Sequence, residues 1–434
     1  MVKKYFISGL LFLALVGAGC GSNKKPVPVA EQKTPEHTPV WNYEGWMIAR
    51  GSMHNHTIYS DGCHTSEDLV KLARNQGIAV LGITDHREGR TCLGKNAKFC
   101  VNAGGVDSKG KGYPKYMAEL AKLADESKSP LVIPGLEVVP YVWNAQGFPL
   151  MVIMGDNWHF TTYNIKDPAV FQNMPAFKTI KLRKQKDPGA APYNKFVNYL
   201  RDAGGLVFQA HPEWGNPSWI LTIHDPAVYP INLTDQMPRL TGVASLPEGF
   251  NAHVPGGKWD QALMQYLAGY RDEPLWNWGE SDYHCTDSPH GLRLGTTLFY
   301  LKDYTRDEIL NAIKKGRMVA LMGEDFQELY VSEFSVGENK PARDKIMLGE
   351  QVRMGAPALV KFSLSKDVPI KEARLVRDGK IIYTTNATSF EFTDKDAFEK
   401  KLNCYYRVEV IGPGPVEQDN ANLIFTNPVF VSFK

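Results

Sequence analysis

Short apolar runs that end in a histidine or a carboxylate constrain the fold of this chain more than any other feature. The runs lie at 78–86, 131–139, 149–155, 204–212 and 275–284, and most end in such a polar side chain. Segments with helical periodicity separate them, and this alternation is typical of βα units around a parallel sheet. We therefore predict an α/β fold whose polar site lies at the carboxyl ends of the strands.

The helical segments have recognisable ends. The segment 66–77 begins at Ser66, which we predict to be its N-cap, and ends at Gly77. The segments 116–127 and 194–205 show the same spacing of apolar residues. These helices are the expected connections between successive parallel strands.

The pattern changes near residue 326. Beyond it, runs such as 358–366 and 404–412 alternate apolar and polar residues with period two. Asp378-Gly379 stands between two such runs and is a hairpin signal. We predict that 326–434 forms a β-sandwich that contributes no chemistry.

The N-terminus has the layout of an export signal. Lys3 and Lys4 precede an apolar stretch and small residues before Cys20, as in a secretory signal peptide. The residues that end at Cys20 resemble the lipobox of bacterial lipoproteins. We expect a lipoprotein-type signal peptide at 1–20, a flexible tether at 21–40 and an exported protein, periplasmic or at the cell surface. In that case the only membrane contact is a lipid on Cys20; plain secretion and a retained anchor are the alternatives.

The charge balance excludes one class of partner. The chain has 49 Lys+Arg and 47 Asp+Glu residues, a formal net charge of +2. A nearly neutral chain without a basic block lacks the electrostatic footprint of a nucleic-acid-binding protein. We therefore expect no nucleic-acid partner.

The cysteines allow more than one arrangement. Cys92 and Cys100 flank a short loop, and either a local disulfide or two free thiols fits that spacing. Cys63 and Cys285 each neighbour a candidate metal ligand. Their spacing matches no CxxC zinc motif, so we do not expect either to bind a metal.

The histidines and carboxylates form the candidate site. Alternate residues of a strand point to one face, so the pairs His54/His56 and Asp282/His284 can each reach one ion. Buried ionisable groups need mutual pairing or a cation. Imidazoles with carboxylates suit zinc, manganese or iron. The candidate ligands are His54, His56, Asp61, His86, Glu137, His211, Asp282 and His284, with His159 as a weaker candidate in a loop rich in Trp and Phe.

The motifs HNHTIYSDG, ITDH, PGLEV, AHP and SDYH resemble the successive motifs of the PHP superfamily (polymerase and histidinol phosphatase). The resemblance implies a distorted (β/α)7 TIM-like barrel over 41–325, two or three divalent metal ions, and hydrolysis, most often of phosphoesters. The C-terminal part resembles the CehA/McbA-like branch, which also includes carbamate and amide hydrolases.

The resemblance assigns the ligands to individual metals. It implies one metal held by His54, His56 and Asp282, and another held by Asp61, His86 and His284.

It further implies that Glu137 bridges the first metal to a third, with His211 as another ligand. Leu150 stands where the family has a histidine. Either the third site is empty or weak, or His159 reaches it from the loop.

The expected function is metal-dependent hydrolysis of a small-molecule phosphoester. A metal-bridging hydroxide attacks phosphorus, or a carbonyl carbon, in this mechanism. Asp282, His284 and His253 are candidate acids for the leaving group, and Arg87 is a candidate phosphate clamp. The alternatives are an amide, carbamate or ester hydrolase on the same metals and a non-catalytic surface lipoprotein that captures ligands with its tryptophans.

Overall fold

The computed structural model describes residues 26–87, 91–93, 99–101, 105–106, 112–147, 151–155, 158–176, 179–213, 222–224, 234, 236–285, 290–416 and 421–434. The predicted signal peptide with Cys20, and the side chains of Cys92 and Cys100, lie outside this description. Within the described ranges, no helix is long and apolar enough to cross a membrane.

The helices are amphipathic and most of them connect strands. They are α1 (Ser66–Asn75), α2 (Gly112–Glu126), α3 (Pro168–Asn173), α4 (Ala191–Asp202), α5 (Phe250–His253), α6 (Lys258–Leu267), α7 (Arg306–Lys314) and α8 (Lys395–Glu399). The Thr65 side chain accepts the Asp68 N–H (3.1 Å), so Thr65 rather than the predicted Ser66 is the N-cap of α1.

The strands are short in the first part of the chain. They are β1 (Val40–Tyr43), β2 (Trp46–Ser52), β3 (Val80–Ile83), β4 (Thr91–Leu93), β5 (Phe99–Val101), β6 (Leu131–Val138), β7 (Trp143–Asn144), β8 (Met151–Met154), β9 (Phe160–Tyr163), β10 (Thr179–Ile180), β11 (Leu206–Gln209), β12 (Thr222–His224), β13 (Gly242–Leu246) and β14 (Trp276–Gly279).

Longer strands dominate the C-terminal part. They are β15 (Gly295–Leu301), β16 (Met318–Met322), β17 (Val331–Glu338), β18 (Gln351–Met354), β19 (Ala358–Leu364), β20 (Glu372–Arg377), β21 (Lys380–Thr385), β22 (Ser389–Asp394), β23 (Cys404–Ile411), β24 (Leu423–Thr426) and β25 (Val429–Phe433).

The fold is a mixed α/β structure with a large sheet. Its first part has the order β14-β13-β11-β9-β6-β3-β2. β2, β3 and β6 are parallel, as are β11, β13 and β14, but β9 is antiparallel to both of its neighbours. Among the described residues the ladder is open, and beyond β14 one isolated bridge joins Asn55 to Tyr283. The predicted closed (β/α)7 barrel is therefore not confirmed.

The large sheet continues into the C-terminal part. β2 pairs with β15, β15 with β16, and β16 with β24, all antiparallel. From β24 the sheet continues through β23, β20 and β21, and a second sheet has the order β17-β19-β22. β19 alternates fully and partly buried residues, as the period-two pattern predicts. A separate C-terminal sandwich is not confirmed, because the ladder crosses the predicted boundary at 325/326.

Residues 26–39 lie along α1 instead of extending from the fold. The Asn75 side chain donates to the Ala30 carbonyl (2.8 Å) and accepts the Gln32 N–H (2.9 Å). The Glu36 N–H donates to the Asn75 carbonyl (2.7 Å). This part of the predicted tether is thus held against the helix.

Candidate metal centre

The strand ends bring the candidate ligands together. His54 and His56 follow β2, and His86 follows β3. Glu137 lies near the end of β6, and an isolated parallel bridge joins it to His86. His211 follows β11, and Asp282 follows β14. The carboxyl ends of parallel strands meet at one edge, so side chains far apart in sequence converge there.

The inner group consists of His54, His56, Glu137 and Asp282. His54 Nε2 lies 3.2 Å from His56 Nε2, 3.2 Å from Glu137 Oε1 and 3.2 Å from Asp282 Oδ1. His56 Nε2 lies 3.3 Å from Glu137 Oε2 and 3.3 Å from Asp282 Oδ1. Four ligands of a tetrahedral ion with bonds of about 2.05 Å lie about 3.3 Å apart, so these donor atoms have the spacing of a coordination shell.

The outer group consists of His56, Asp61, His86 and His284, which offer ligand atoms close enough to share an ion. Asp61 Oδ1 lies 3.4 Å from His284 Nε2, and Asp61 Oδ2 lies 3.4 Å from His86 Nε2. The side chains of Asp61 and His284 are 37% and 34% exposed. Asp61 and His284 therefore face solvent, whereas His54, His56 and Glu137 are fully buried.

The structure places His159 at a third position. His159 Nδ1 lies 2.5 Å and His211 Nε2 lies 3.1 Å from Glu137 Oε1. His159 directly precedes β9, the strand that pairs with β6 in the large sheet. The run 149–155 aligns with the strand at which the family has a histidine. This run contains β8, which belongs to a separate small sheet. Leu150 lies outside the described residues, and His159 fills the position by Glu137.

Three candidate ligands have a left-handed backbone. The φ angles of His54, His211 and Asp282 are 68°, 24° and 45°. This region is uncommon for residues with a Cβ and clusters at functional sites. The turns after β2, β11 and β14 thus adopt strained conformations that direct these side chains towards one another.

The electrostatics of the inner group favour ionised carboxylates. Burial would raise the pKa of Glu137, but His86, His159 and His54 hold it well below its ordinary value. Burial would lower the pKa of His54, but Glu137, Asp282 and Glu280 raise it well above 6.5 overall. Asp282 Oδ1 is buried and receives no hydrogen bond from the residues described. An anionic oxygen in that position requires a cation, so the donor set fits a divalent metal.

Supporting carboxylates were not identified from the sequence. Glu280 Oε2 lies 3.4 Å from His54 Nδ1, and Glu280 Oε1 accepts the His211 N–H (2.5 Å). A carboxylate on the distal nitrogen of a metal-binding histidine fixes the ring and its tautomer. The signal that sequence offers is an acidic residue at the end of the apolar run 275–284.

Asp85 supports the turn that contains Asp61. Its carboxylate accepts hydrogen bonds from the Thr57 N–H (2.8 Å), the Ser60 N–H (3.0 Å) and the Ser60 hydroxyl (2.7 Å). Asp85 is fully buried, so these bonds replace its lost hydration. Its position next to His86 at the end of a buried strand is the sequence signal that could have identified it.

A disulfide joins Cys63 and Cys285 across 222 residues of sequence. The sequence indicated only that these cysteines are not metal ligands, and their pairing was not predicted. Asp61 precedes one cysteine by two residues and His284 directly precedes the other. The disulfide therefore connects two segments of the outer group.

Arg87 and His253 are also candidates for the chemistry, but not as metal ligands. Arg87 is buried, and its backbone N–H donates to the Glu137 carbonyl (2.8 Å). Among the residues described, His253 and His290 belong to none of the groups that could hold a metal. His253 is fully buried and its Nδ1 bonds to the Gly249 carbonyl (2.6 Å).

The sequence matches the model of the PHP domain over residues 52–160. That range includes candidate ligands from His54 to His159, whereas His211, Asp282 and His284 lie beyond it. No curated protein matches the sequence significantly.

The solved structures that match this chain at low identity include proteins named as phosphoesterases. A two-domain protein from Bacteroides vulgatus, with a predicted PHP-like metal-dependent phosphoesterase, is 14% identical; the match covers 92% of this chain and 100% of that chain, with a TM-score of 0.42. A proposed metal-dependent phosphoesterase from Bifidobacterium adolescentis is 15% identical, with coverages of 55% and 89% and a TM-score of 0.30. A lesion-specific endonuclease from Pyrococcus furiosus is 14% identical, with coverages of 62% and 56% and a TM-score of 0.33.

Proposed function

We propose that this chain, whose residues 52–160 match the model of the PHP domain, is a metal-dependent hydrolase that acts on small-molecule phosphoesters. The observation that carries the proposal is the inner group, in which the Nε2 atoms of His54 and His56 lie 3.2 Å apart and each lies 3.2–3.3 Å from the carboxylates of Glu137 and Asp282. We propose two or three ions of zinc, manganese or iron. When bound, such ions lower the pKa of water and offset the charge that develops on the attacked group.

We propose a distinct role for each group of residues. His54, His56, Glu137 and Asp282 hold the inner ion; Asp61, His86 and His284 hold the outer one; Glu137 also serves a third position with His159 and His211.

Proton transfer to the leaving group needs an acid near the substrate. The side chains of Asp282 and His284 are 28% and 34% exposed, so both can meet a substrate. His253 is buried away from the centre, and burial lowers its pKa to about 3, so it holds no proton to donate at neutral pH. Burial would raise the pKa of Asp282, but His54 and His284 hold it well below its ordinary value, so this carboxylate is ionised at neutral pH. We therefore assign the acid role to His284.

We retain Arg87 as the proposed phosphate clamp. It follows the ligand His86 and lies beside Glu137 through its backbone hydrogen bond. A guanidinium can bind two oxygens of a phosphate at once, whereas a carbamate or an ester offers no such partner. Loss of Arg87 should therefore affect phosphate substrates more than neutral ones.

The domain limits and location stay proposals. We propose a distorted (β/α)7 barrel over 41–325, a β-sandwich over 326–434, a signal at 1–20 and a lipid on Cys20. The parallel strands around the centre and the second sheet support the first two of these. The Cys63–Cys285 disulfide is typical of oxidising compartments and agrees with export.

The non-catalytic alternative depended on tryptophans as stacking platforms for a captured ligand. Four of the six tryptophans proposed for this role are buried and offer no face to a ligand: Trp158, Trp259, Trp276 and Trp278. The other two, Trp214 and Trp219, lie outside the described residues. Burial of these four removes most of the support for this alternative.

A substrate panel tests the proposal. We expect metal-loaded protein to release orthophosphate from aryl phosphates, and to lose this activity with a chelator and on His54→Ala or Asp282→Ala, because both changes remove the inner ion. The matched control is His37→Ala, whose side chain bonds to Glu328 outside the centre. Faster turnover of aryl esters or carbamates than of aryl phosphates would replace the phosphoesterase with the alternative hydrolase. Binding without turnover for any metal would favour the non-catalytic protein.

A further inference from the structure

The disulfide between Cys63 and Cys285 lies at the mouth of the metal centre. It joins the turn after β2 to the loop after β14, two segments separated by 222 residues. Neither segment belongs to a helix or a strand at the cysteines. The regular ladders of β2 and β14 therefore end before the cysteines, and one isolated bridge, between Asn55 and Tyr283, joins the two segments.

These two segments supply the solvent-facing half of the outer group. Asp61 Oδ1 and His284 Nε2 lie 3.4 Å apart, one from each side of the disulfide. Their side chains are 37% and 34% exposed, so the surrounding side chains enclose them only in part. His54, His56 and Glu137 in the inner group are fully buried and need no such link.

Non-covalent contacts also join the two segments. The His56 N–H donates to the Tyr283 carbonyl (2.9 Å), the Tyr283 N–H donates to the His54 carbonyl (3.4 Å), and the His284 ring stacks on His56 with a centroid distance of 4.0 Å. The Cys63 N–H donates to the His284 carbonyl (2.9 Å). The His64 ring stacks on Tyr283 and its Nε2 lies 3.0 Å from the Tyr283 hydroxyl. Holding two loop segments together at one ion costs conformational entropy, and a covalent link adds to these contacts and removes part of that cost before the ion arrives.

We propose that Cys63 and Cys285 are positioning residues, whose disulfide holds Asp61 and His284 in place for the outer metal. The outer ion depends on this link, and the inner ion does not. The inference rests on the proposed metal-dependent function. It assigns a role to two cysteines that bind no metal themselves.

The number of metal ions bound, with their affinities, tests whether the outer ion depends on the disulfide and the inner ion does not. We compare wild type, Cys63→Ala/Cys285→Ala and Asp61→Ala by Co²⁺ titration, followed by absorption, and by metal content after reconstitution with Zn²⁺ or Mn²⁺. We expect the double variant to resemble Asp61→Ala: one equivalent is lost or binds about 10- to 100-fold more weakly, as for loss of other groups that support metal ligands. The tightest equivalent keeps the wild-type affinity and spectrum.

The matched control is Cys404→Ala, because Cys404 is a buried free cysteine in β23, away from the centre. If the double variant does not fold, wild type is reduced with a phosphine, desalted without oxygen and titrated in the same way; mass spectrometry after alkylation counts the two new thiols. If the protein without the disulfide bound metal with the stoichiometry and affinity of the wild type, the inference would be overturned. Equal loss of every metal equivalent would overturn it as well. Wild type that binds no metal would refute the proposed function as well, so the two failures are distinguishable.

Discussion

At the residue scale, the candidate ligands are supported by a carboxylate that is not itself a candidate ligand. Glu280 contacts the distal nitrogen of His54 and the backbone of His211. It is fully buried, and no other acidic side chain within the described residues lies within ion-pair distance of His54 Nδ1. One side chain thus contacts two candidate ligands, the ring of His54 and the backbone of His211.

We expect Glu280→Gln to weaken binding of the tightest metal by about 10- to 100-fold. The amide can keep the hydrogen bond from the His211 N–H, but it places no negative charge beside His54 Nδ1, which lies 3.4 Å from Glu280 Oε2. Isothermal titration with Zn²⁺ measures the change. Glu119→Gln is the matched control, because Glu119 lies exposed on α2. Equal affinity of both variants would mean that Glu280 does not orient His54.

The sequence predicted the candidate ligands better than the residues that hold them in place. The histidine pair 54/56 and the polar ends of apolar runs follow from local spacing, so they are visible without a fold. The contact between Glu280 and His54 joins residues that only the assembled sheet brings together. The Cys63–Cys285 pairing could not be predicted for the same reason, because it joins the ends of β2 and β14 through tertiary structure.

At the scale of the elements, the prediction and the structure differ in which strand belongs to the large sheet and in the direction of that strand. The predicted run 149–155 includes β8, but β8 pairs with β7 and β12 in a side sheet. The strand in the large sheet is β9, which is four residues long and antiparallel. An apolar run has the same pattern in either sheet and either direction, so sequence alone could not assign His159 to its position.

The segment 26–39 gives a test at this scale. We expect Asn75→Ala to release it from α1, because the Asn75 amide bonds to both Ala30 and Gln32. Loss of two hydrogen bonds of about 1 kcal/mol each should speed amide exchange at Gln32 by roughly 10- to 30-fold. Hydrogen–deuterium exchange with peptide resolution measures this. Asn173→Ala on α3 is the control, since its side chain bonds only to its own helix among the described residues. Unchanged exchange at Gln32 would show that the segment is held by other contacts.

At the scale of the whole molecule, a buried charge network joins the two parts of the chain. Arg407 on β23 donates to Asp260 on α6 at 2.7 and 2.8 Å, and to Glu409 at 2.5 Å. The Tyr405 hydroxyl also donates to Asp260 (2.6 Å). The change of period near residue 326 predicted a boundary there, but the pairing of β16 with β24 and this network depend on contacts that no local pattern reveals.

His253 lies beside this network and makes the stability depend on pH. Its ring stacks on Phe425 of β24 with a centroid distance of 6.3 Å, and Arg407 donates to its carbonyl (3.1 Å). Burial lowers its pKa to about 3, and the carbonyl of Gly249 and the carboxylate of Asp260 only partly oppose the shift. The unfolded chain binds a proton near pH 6.5, whereas the folded protein does not until about pH 3. Stability is therefore full above pH 6.5 and falls as the pH drops towards 3.

We expect His253→Asn to reduce this pH dependence. The asparagine amide can take the place of Nδ1 as a donor to Gly249, so it keeps the hydrogen bond without a titrating group. From pH 7 to pH 5 the wild type should lose about 2 kcal/mol more free energy of unfolding than the variant, because each pH unit below 6.5 contributes about 1.4 kcal/mol. Urea unfolding at both pH values, followed by tryptophan fluorescence, measures the difference.

The variant can be less stable at pH 7 because its packing is altered, so only the change in unfolding free energy between the two pH values decides the test. Parallel losses in both proteins would mean that His253 titrates alike in the folded and unfolded states, which its complete burial between α5 and β24 argues against.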